Sequence, residues 1–137
     1  MARIIRGVGL TLWLVSLTLP VQAERPDLLV TPVVKTATAT TAQTATTLWT
    51  PASGTRIVLM GCVFSADRAY LVRLQVSGTD IVAPVYLDTN GTVSVGFGVT
   101  PLYVGATNAV ITYTTTNAGF TGASGNAAIT CTGYETL

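Results

Sequence analysis

The chain has 137 residues, of which 49% are hydrophobic and only 9% charged, and its formal net charge is +1. This charge balance argues against a nucleic-acid-binding protein, which needs clustered cations to contact phosphates. The length is enough for one domain with its own hydrophobic core and too short for two. A surface with so few charges is typical of an extracellular or self-associating protein rather than a cytosolic enzyme.

Residues 1–23 predict a secretory signal peptide. Residues 1–6 carry two cations and no acid, residues 8–19 are apolar apart from small polar interruptions, and residues 20–23 end in a small-residue cleavage pattern. An apolar run of about a dozen residues is too short to cross a bilayer core of roughly 30 Å as a helix, so we expect no retained membrane anchor. The mature chain then begins at Glu24, and we expect it to be secreted, extracellular or periplasmic, with association to the cell surface left open.

Residues 24–48 predict an N-terminal arm or linker. Residues 28–34 are apolar but contain Pro32, which suits an edge strand or an extended arm. Residues 36–47 consist of Thr, Ala and one Gln, and neither face of this tract is apolar enough to fix a strand register. Three alternatives stay open: a flexible or glycosylated stalk, an ordered strand packed on the domain, and an arm that adds a strand to a neighbouring subunit's sheet.

Residues 49–137 predict an all-β domain, because short strands alternate with turn signals and no segment keeps a helical period. The predicted strands are residues 56–64, 70–76, 81–87, 93–97, 109–116 and 126–134. The first of these is apolar almost throughout, which suggests burial on both faces or a central position. With the N-terminal segments the count is about eight, so we predict a single antiparallel β-sandwich of jelly-roll type. An immunoglobulin-like sandwich is the rival, and it fits poorly because no Trp lies between Cys62 and Cys131.

The strongest turn signal lies at residues 88–91, Asp-Thr-Asn-Gly. Because Asn90-Gly91 accepts the positive φ angles of a type I′ turn, we expect a hairpin between the strands on either side. The same residues resemble a fragment of a calcium-binding loop, but the turn explains them without a metal. Asn90-Gly91-Thr92 also matches the N-glycosylation sequon.

Cys62 and Cys131 are the only cysteines. An even count in an exported chain predicts one disulfide, which we expect to join two strands across the core, with two buried free thiols as the alternative. The bond would close a loop of about seventy residues, worth roughly 4 kcal/mol in the chain-entropy model. Without histidine or a second cysteine pair, zinc has no ligand set, and we expect no metal.

Residues suited to acid–base chemistry are few. The domain has no His, and its acids are Asp67, Asp80, Asp88 and Glu135. Three of these lie at strand ends or turns, where Asp is favoured by hydrogen bonds to its own backbone. No serine lies in a nucleophile-elbow motif. We therefore expect no enzymatic activity and no cofactor.

Aromatic residues in or beside loops are the candidate interaction residues. An aromatic face can stack on a sugar ring or anchor a partner surface. The candidates are Trp49, Tyr103, Phe120 and Tyr134. For Trp49 the alternative is a plug at one end of the sandwich core, whereas Phe120, among glycines, is the hardest to bury.

Four segments, residues 49–61, 88–95, 108–113 and 133–135, together resemble the small jelly-roll domains of bacteriophage virion decoration and fibre proteins and of related bacterial surface proteins. The resemblance extends from Trp49 to Glu135, lies in the order of strands and turns, and includes no catalytic motif. It implies a decoration, fibre or attachment module that usually forms trimers. The signal peptide and the cysteine pair depart from the virion examples, which assemble in the cytosol, and favour a bacterial extracellular or surface-associated structural protein.

Two classes of function follow from these features. A structural or assembly subunit, associating with itself as a homo-oligomer or filament through β-strand pairing, is favoured by the Thr/Ala tract, the sparse charge and the few titratable groups. A carbohydrate-binding or adhesion module, acting on a polysaccharide or a cell surface, is the alternative, and it is favoured by the sandwich architecture and the loop aromatics.

Overall fold

A computed structural model of the protein describes residues 30–117 and 125–137. Within these two ranges the chain forms ten β-strands and no helix. The strands are β1 Val33–Ala39, β2 Gln43–Trp49, β3 Arg56–Ala66, β4 Tyr70–Val76, β5 Thr79–Asp80, β6 Val85–Leu87, β7 Gly91–Gly96, β8 Tyr103–Val104, β9 Ile111–Asn117 and β10 Ala127–Thr136. The predicted all-β class is confirmed. The predicted signal peptide and the predicted loop that carries Phe120 lie outside the described residues.

The strands form two antiparallel sheets that pack as a sandwich. Sheet A has the order β1-β10-β3-β7, and β8 also pairs with β3. Sheet B has the order β2-β9-β4-β5, and β6 also pairs with β4. Each sheet therefore has five strands, and the predicted antiparallel β-sandwich is confirmed at this level.

Pairings between the longer strands are nested along the sequence. β4 pairs with β6, β3 with β7, β2 with β9 and β1 with β10. Apart from β4 and β6, which pair with each other in sheet B, successive longer strands alternate between the two sheets. The pairs β3·β10 and β4·β9 join the two halves within each sheet. The chain thus follows the path of one long hairpin whose two arms are wound together into the sandwich.

The Thr/Ala tract is part of this sandwich. β1 pairs with β10 over all seven of its residues, and β2 pairs with β9. Among the three alternatives for the tract, these pairings correspond to an ordered strand on its own domain, so β1 and β2 belong to the same sandwich as the strands after Trp49. The inward side chains Ala37 and Ala39 pack against the core although they are small. The register of β1 is set by its main-chain pairing with β10. The composition of the tract does not specify this register.

A β-bulge in β3 explains why this strand is apolar almost throughout. Met60 is the extra residue in the register with β10. Before the bulge Ile57 and Leu59 are buried in the core, and after it Cys62 and Phe64 are. An extra residue reverses which alternate side chains face inward, so apolar residues are needed at both odd and even positions.

Residues 88–91 form a turn but not the predicted hairpin. Gly91 N donates to Asp88 O at 2.9 Å, as a four-residue turn requires. The strand before the turn, β6, belongs to sheet B, and the strand after it, β7, belongs to sheet A. Only Asn90 has a positive φ, 57°, whereas a type I′ turn needs two such residues. The turn therefore carries the chain from one sheet to the other.

Candidate interaction surface

Cys62 and Cys131 form a disulfide, as the sequence predicts. They lie directly opposite each other on β3 and β10, and both are fully buried. The bond therefore joins neighbouring strands of sheet A, not two strands across the core as expected. The nested pairing of the chain is the reason, because it brings these positions side by side although they are 69 residues apart.

Trp49 is the first candidate interaction residue, and it lies in the core at the end of β2, only 1% exposed. Its indole Nε1 donates to Glu135 Oε1 at 2.8 Å. The other oxygen of Glu135 accepts from Ala52 N at 2.7 Å and from Thr55 Oγ1 at 2.9 Å. Lys35 Nζ lies 6.0 Å from the centroid of the indole. Trp49 therefore has the alternative role considered from the sequence, a plug at one end of the sandwich core. Its ring is not open to a sugar.

The three hydrogen bonds to Glu135 also fix its charge state. The Ala52 amide has the largest effect and lowers the pKa of the carboxyl below its ordinary value of 4.5, with the Trp49 indole next. Burial raises the pKa, while Thr55 and the positive charge of Lys35 lower it further. Glu135 therefore holds the C-terminal strand against the loop that follows β2, as an ionised hydrogen-bond acceptor.

The other acidic residues make local contacts. Asp67 accepts hydrogen bonds from the backbone and side-chain nitrogens of Asn126 at 2.6 and 3.0 Å. Asp80 lies 3.8 Å from Arg73, and Asp88 accepts from the backbone N–H of the next residue at 2.7 Å. Among the described residues no group of three or more His, Cys, Asp or Glu side chains is placed to bind a metal. Each of these carboxylates stabilises a turn or a strand end.

Tyr103 and Tyr134 lie on opposite faces of sheet A. Tyr103 pairs with Leu59 and packs against the core from β8, half-buried. Tyr134 is half-buried on the outer face, where it pairs with Val58. Phe120 lies outside the described residues. The structure therefore does not bring the described candidate aromatics together into one site.

Sheet A instead presents an apolar patch on its outer face, which the sequence analysis missed. We define the patch of sheet A by Val34, Val58, Phe97, Val104 and Tyr134. Val34, Phe97 and Val104 are 59%, 51% and 51% exposed, which is unusual for such large apolar side chains within one face. Val58 joins the patch together, because it pairs with Tyr134 on one side and with Val104 on the other.

Phe97 belongs to the patch because its ring lies over Gly61. A methyl group at Gly61 would approach two ring carbons of Phe97 to 2.8 Å, so only glycine leaves room for the ring. Gly61 itself pairs with Thr132, whose other neighbour is Val34. The ring therefore sits on the outer face, in the row of residues that begins at Val34.

Val63 and Ala128 also lie on the outer face of sheet A, and most of the remaining side chains of this face carry hydroxyls. They are Thr36, Thr38, Ser65, Thr92, Ser94, Thr130 and Thr132. The hydroxyls of Thr36 and Thr130 lie 3.4 Å apart across the strands. Arg56 is the one charged residue among the strand positions of this face. The face is therefore close to neutral, with apolar side chains at one end and hydroxyls at the other.

Comparisons with known proteins place this chain in no established family. No family model matches it, and no curated protein matches it. Among solved structures, its fold is similar to a chain of the cyanophage Pam1 capsid asymmetric unit, with a TM-score of 0.45 and 15% sequence identity over 77% of this chain and 84% of that chain. The class defined by the residues of this chain is a disulfide-bonded, all-β sandwich with a neutral outer face.

Proposed function

We propose that this protein is an exported structural subunit that acts by self-association and not by catalysis. The observation that carries the proposal is the outer face of sheet A, where exposed apolar side chains lie among neutral hydroxyls beside a single charge. A surface of this kind is typical of a contact between proteins. The carboxylates of the described residues, by contrast, make structural hydrogen bonds and ion pairs.

Export is supported by two features. A disulfide between buried cysteines is typical of oxidising compartments such as the periplasm or the extracellular space. In the described part of the chain no helix is long and apolar enough to cross a membrane. The signal peptide predicted at residues 1–23 completes this proposal.

We infer that the sandwich is of the jelly-roll type. When the two-residue strands β5 and β8 are set aside, eight strands remain, four in each sheet. Their orders, β1-β10-β3-β7 and β2-β9-β4-β6, follow from one hairpin-like path wound into two sheets, as in a double Greek key.

The role expected of the N-terminal arm changes in this proposal. β1 and β2 already complete sheets A and B of their own chain, so pairing with a neighbour is not needed to order them. Lys35 points inward from β1, and β2 has irregular register and a positive φ of 46° at Ala45. Inward charges and bulges are features that discourage pairing at a free edge.

A carbohydrate-binding or adhesion module is the second candidate. It is favoured by Phe97 and Tyr134, two aromatic side chains on the same outer face as the hydroxyl rows. Aromatic rings stack on sugars, and hydroxyls exchange hydrogen bonds with them.

Sedimentation velocity of the secreted protein over a range of concentrations distinguishes the two candidates. A structural subunit is expected to form dimers or larger species as concentration rises. A monomer at every concentration would contradict the assembly proposal. If that monomer also bound an insoluble polysaccharide in a pull-down, the module would take the place of the subunit.

A further inference from the structure

We propose that the patch of sheet A is the contact through which two copies of this chain associate, face to face, about a two-fold axis. This inference rests on the proposed assembly function and names its contact surface. It starts from the position of the apolar side chains of the patch, which lie in two adjacent rows across the sheet and of which Val58 is buried, only 4% exposed. The first row contains Val34 and the ring of Phe97, and the second contains Tyr134, Val58 and Val104.

The outer face of sheet A offers less area than most specific interfaces bury, which allows only a weak, reversible dimer. Val34 on β1 and Val104 on β8 are separated by three strand spacings, about 14 Å. An overlap of four strands by eight residues measures about 19 Å by 26 Å, or about 500 Å² per copy in flat projection. Specific interfaces begin at about 600 Å² per partner. The ring of Phe97, 51% exposed, adds to the flat area, so we expect a dimer that dissociates on dilution.

The charge distribution suits a second copy of the same face. Arg56 lies at the end of β3, one row beyond the row of Val58. We place the two-fold axis in the plane of the contact, perpendicular to the strands and between the two apolar rows. This axis reverses the order of the rows in the second copy. Each Arg56 then meets the row of Val63, Thr130 and Thr36, which carries no charge and offers two hydroxyl acceptors beside Val63. Like charges do not oppose each other in this arrangement, and the apolar rows cover one another.

The backbone at Phe97 gives a second, independent reason to assign a contact here. Gly96 and Phe97 have consecutive positive φ angles of 82° and 64°. A positive φ is strained for a bulky residue, by about 1–3 kcal/mol, and such strain is concentrated at functional sites. Phe97 N donates to Met60 O at 2.9 Å, which holds the strained residue at the bulge. The conformation keeps the ring on the outer face, half in solvent, instead of turning it toward the core.

The test places a charge in the patch of the full secreted protein. Val34→Lys and Val104→Lys each put a cation on an exposed strand position within the proposed contact, where a two-fold axis would bury it. Tyr86→Lys is the matched control, because Tyr86 is 72% exposed on β6 of sheet B. Sedimentation equilibrium is expected to show a dissociation constant raised at least ten-fold by either patch variant and changed less than two-fold by the control. Thermal unfolding of each variant verifies that the sandwich is intact.

The outcomes separate this inference from the proposed function. If the wild-type protein assembles and the two patch variants assemble equally well, the contact lies elsewhere and the inference is overturned, while assembly stands. A wild-type protein that stays monomeric at every concentration overturns both. Loss of assembly in Tyr86→Lys as well as in the patch variants would also refute the inference, because added charge anywhere would then be the cause.

Discussion

Replacing Glu135 by Gln removes the acceptor that ties the C-terminal strand to the loop after β2. One carboxylate oxygen accepts from the Trp49 indole, and the other from the Ala52 amide and the Thr55 hydroxyl, at 2.7–2.9 Å. A Gln amide keeps one acceptor oxygen, and its NH₂ group would meet a second set of donors. Hydrogen bonds to a charged group contribute about 1.5–3 kcal/mol each. Because Glu135 is partly open to solvent, we expect the free energy of unfolding to fall by about 2 kcal/mol at pH 7.

The pH dependence of this loss follows from the lowered pKa of Glu135, caused first by the Ala52 amide. A carboxyl whose pKa is lower in the folded than in the unfolded state contributes stability that is fully present above the unfolded pKa. That stability is lost as the pH falls through the folded pKa. The difference between wild type and Glu135→Gln should therefore be full at pH 7, shrink below about pH 4.5, and vanish below the folded pKa.

Urea denaturation at a series of pH values measures both quantities. Asp80→Asn is the matched control, since Asp80 faces Arg73 at 3.8 Å near the surface and should cost less than about 1 kcal/mol. Equal stability of wild type and Glu135→Gln at pH 7 would refute the assigned hydrogen bonds. A stability difference that persists unchanged at pH 2 would refute their dependence on the ionised carboxylate.

Three further predictions concern the fold. Replacing both Cys62 and Cys131 by Ala should lower the free energy of unfolding by about 4 kcal/mol, as measured in urea, and alkylation of the unreduced wild type should modify no thiol. Gly133→Ala should lower the free energy of unfolding by more than about 2 kcal/mol, because the new methyl would clash with a backbone carbonyl of β3. Gly54→Ala is the control: this glycine lies in open space at positive φ, so the loss should be about 1–2 kcal/mol. Equal losses in the two variants would contradict the bulge geometry. A truncation that removes β1 should still unfold cooperatively on heating. A truncation that removes both β1 and β2 should not, because Trp49 is then missing from the core. A cooperative transition in both truncations would contradict the role of Trp49 in the core.

Strands with apolar alternation of their own were predictable from the sequence. β4 was predicted with the observed bounds, and β3, β9 and β10 within two residues at each end. For β1 and β2 the sequence left a strand of this domain as one of three alternatives, because Thr and Ala give neither face an apolar signal and the register is supplied by β9 and β10. The Asn-Gly turn was located correctly, but local sequence does not reveal that its two flanking strands belong to different sheets.

Prediction of the candidate site was limited in the same way. Trp49 was a candidate because it lies beside a predicted turn. In the structure its buried indole donates a hydrogen bond to Glu135, a residue 86 positions away along the chain. The patch of sheet A gathers residues from four strands and one loop, and its four strand residues do not stand out among their sequence neighbours. A signal was present in Gly96-Phe97-Gly98, where an aromatic residue between glycines suggests an exposed ring with unusual backbone angles.

The position of the disulfide also determines how the chain would respond to a mechanical load. The bond turns the segment from Cys62 to Cys131 into a covalent ring that contains β4 to β9 and leaves β1 and β2 outside. Under a force applied to the two ends of the chain, tension passes through the sulfur atoms and bypasses the ring. The 69 residue spacings within the ring, about 240 Å of contour length, stay out of the extending path until the bond is reduced. Only the residues before Cys62, which include β1, β2 and the first half of β3, and those after Cys131 are then free to lengthen under load.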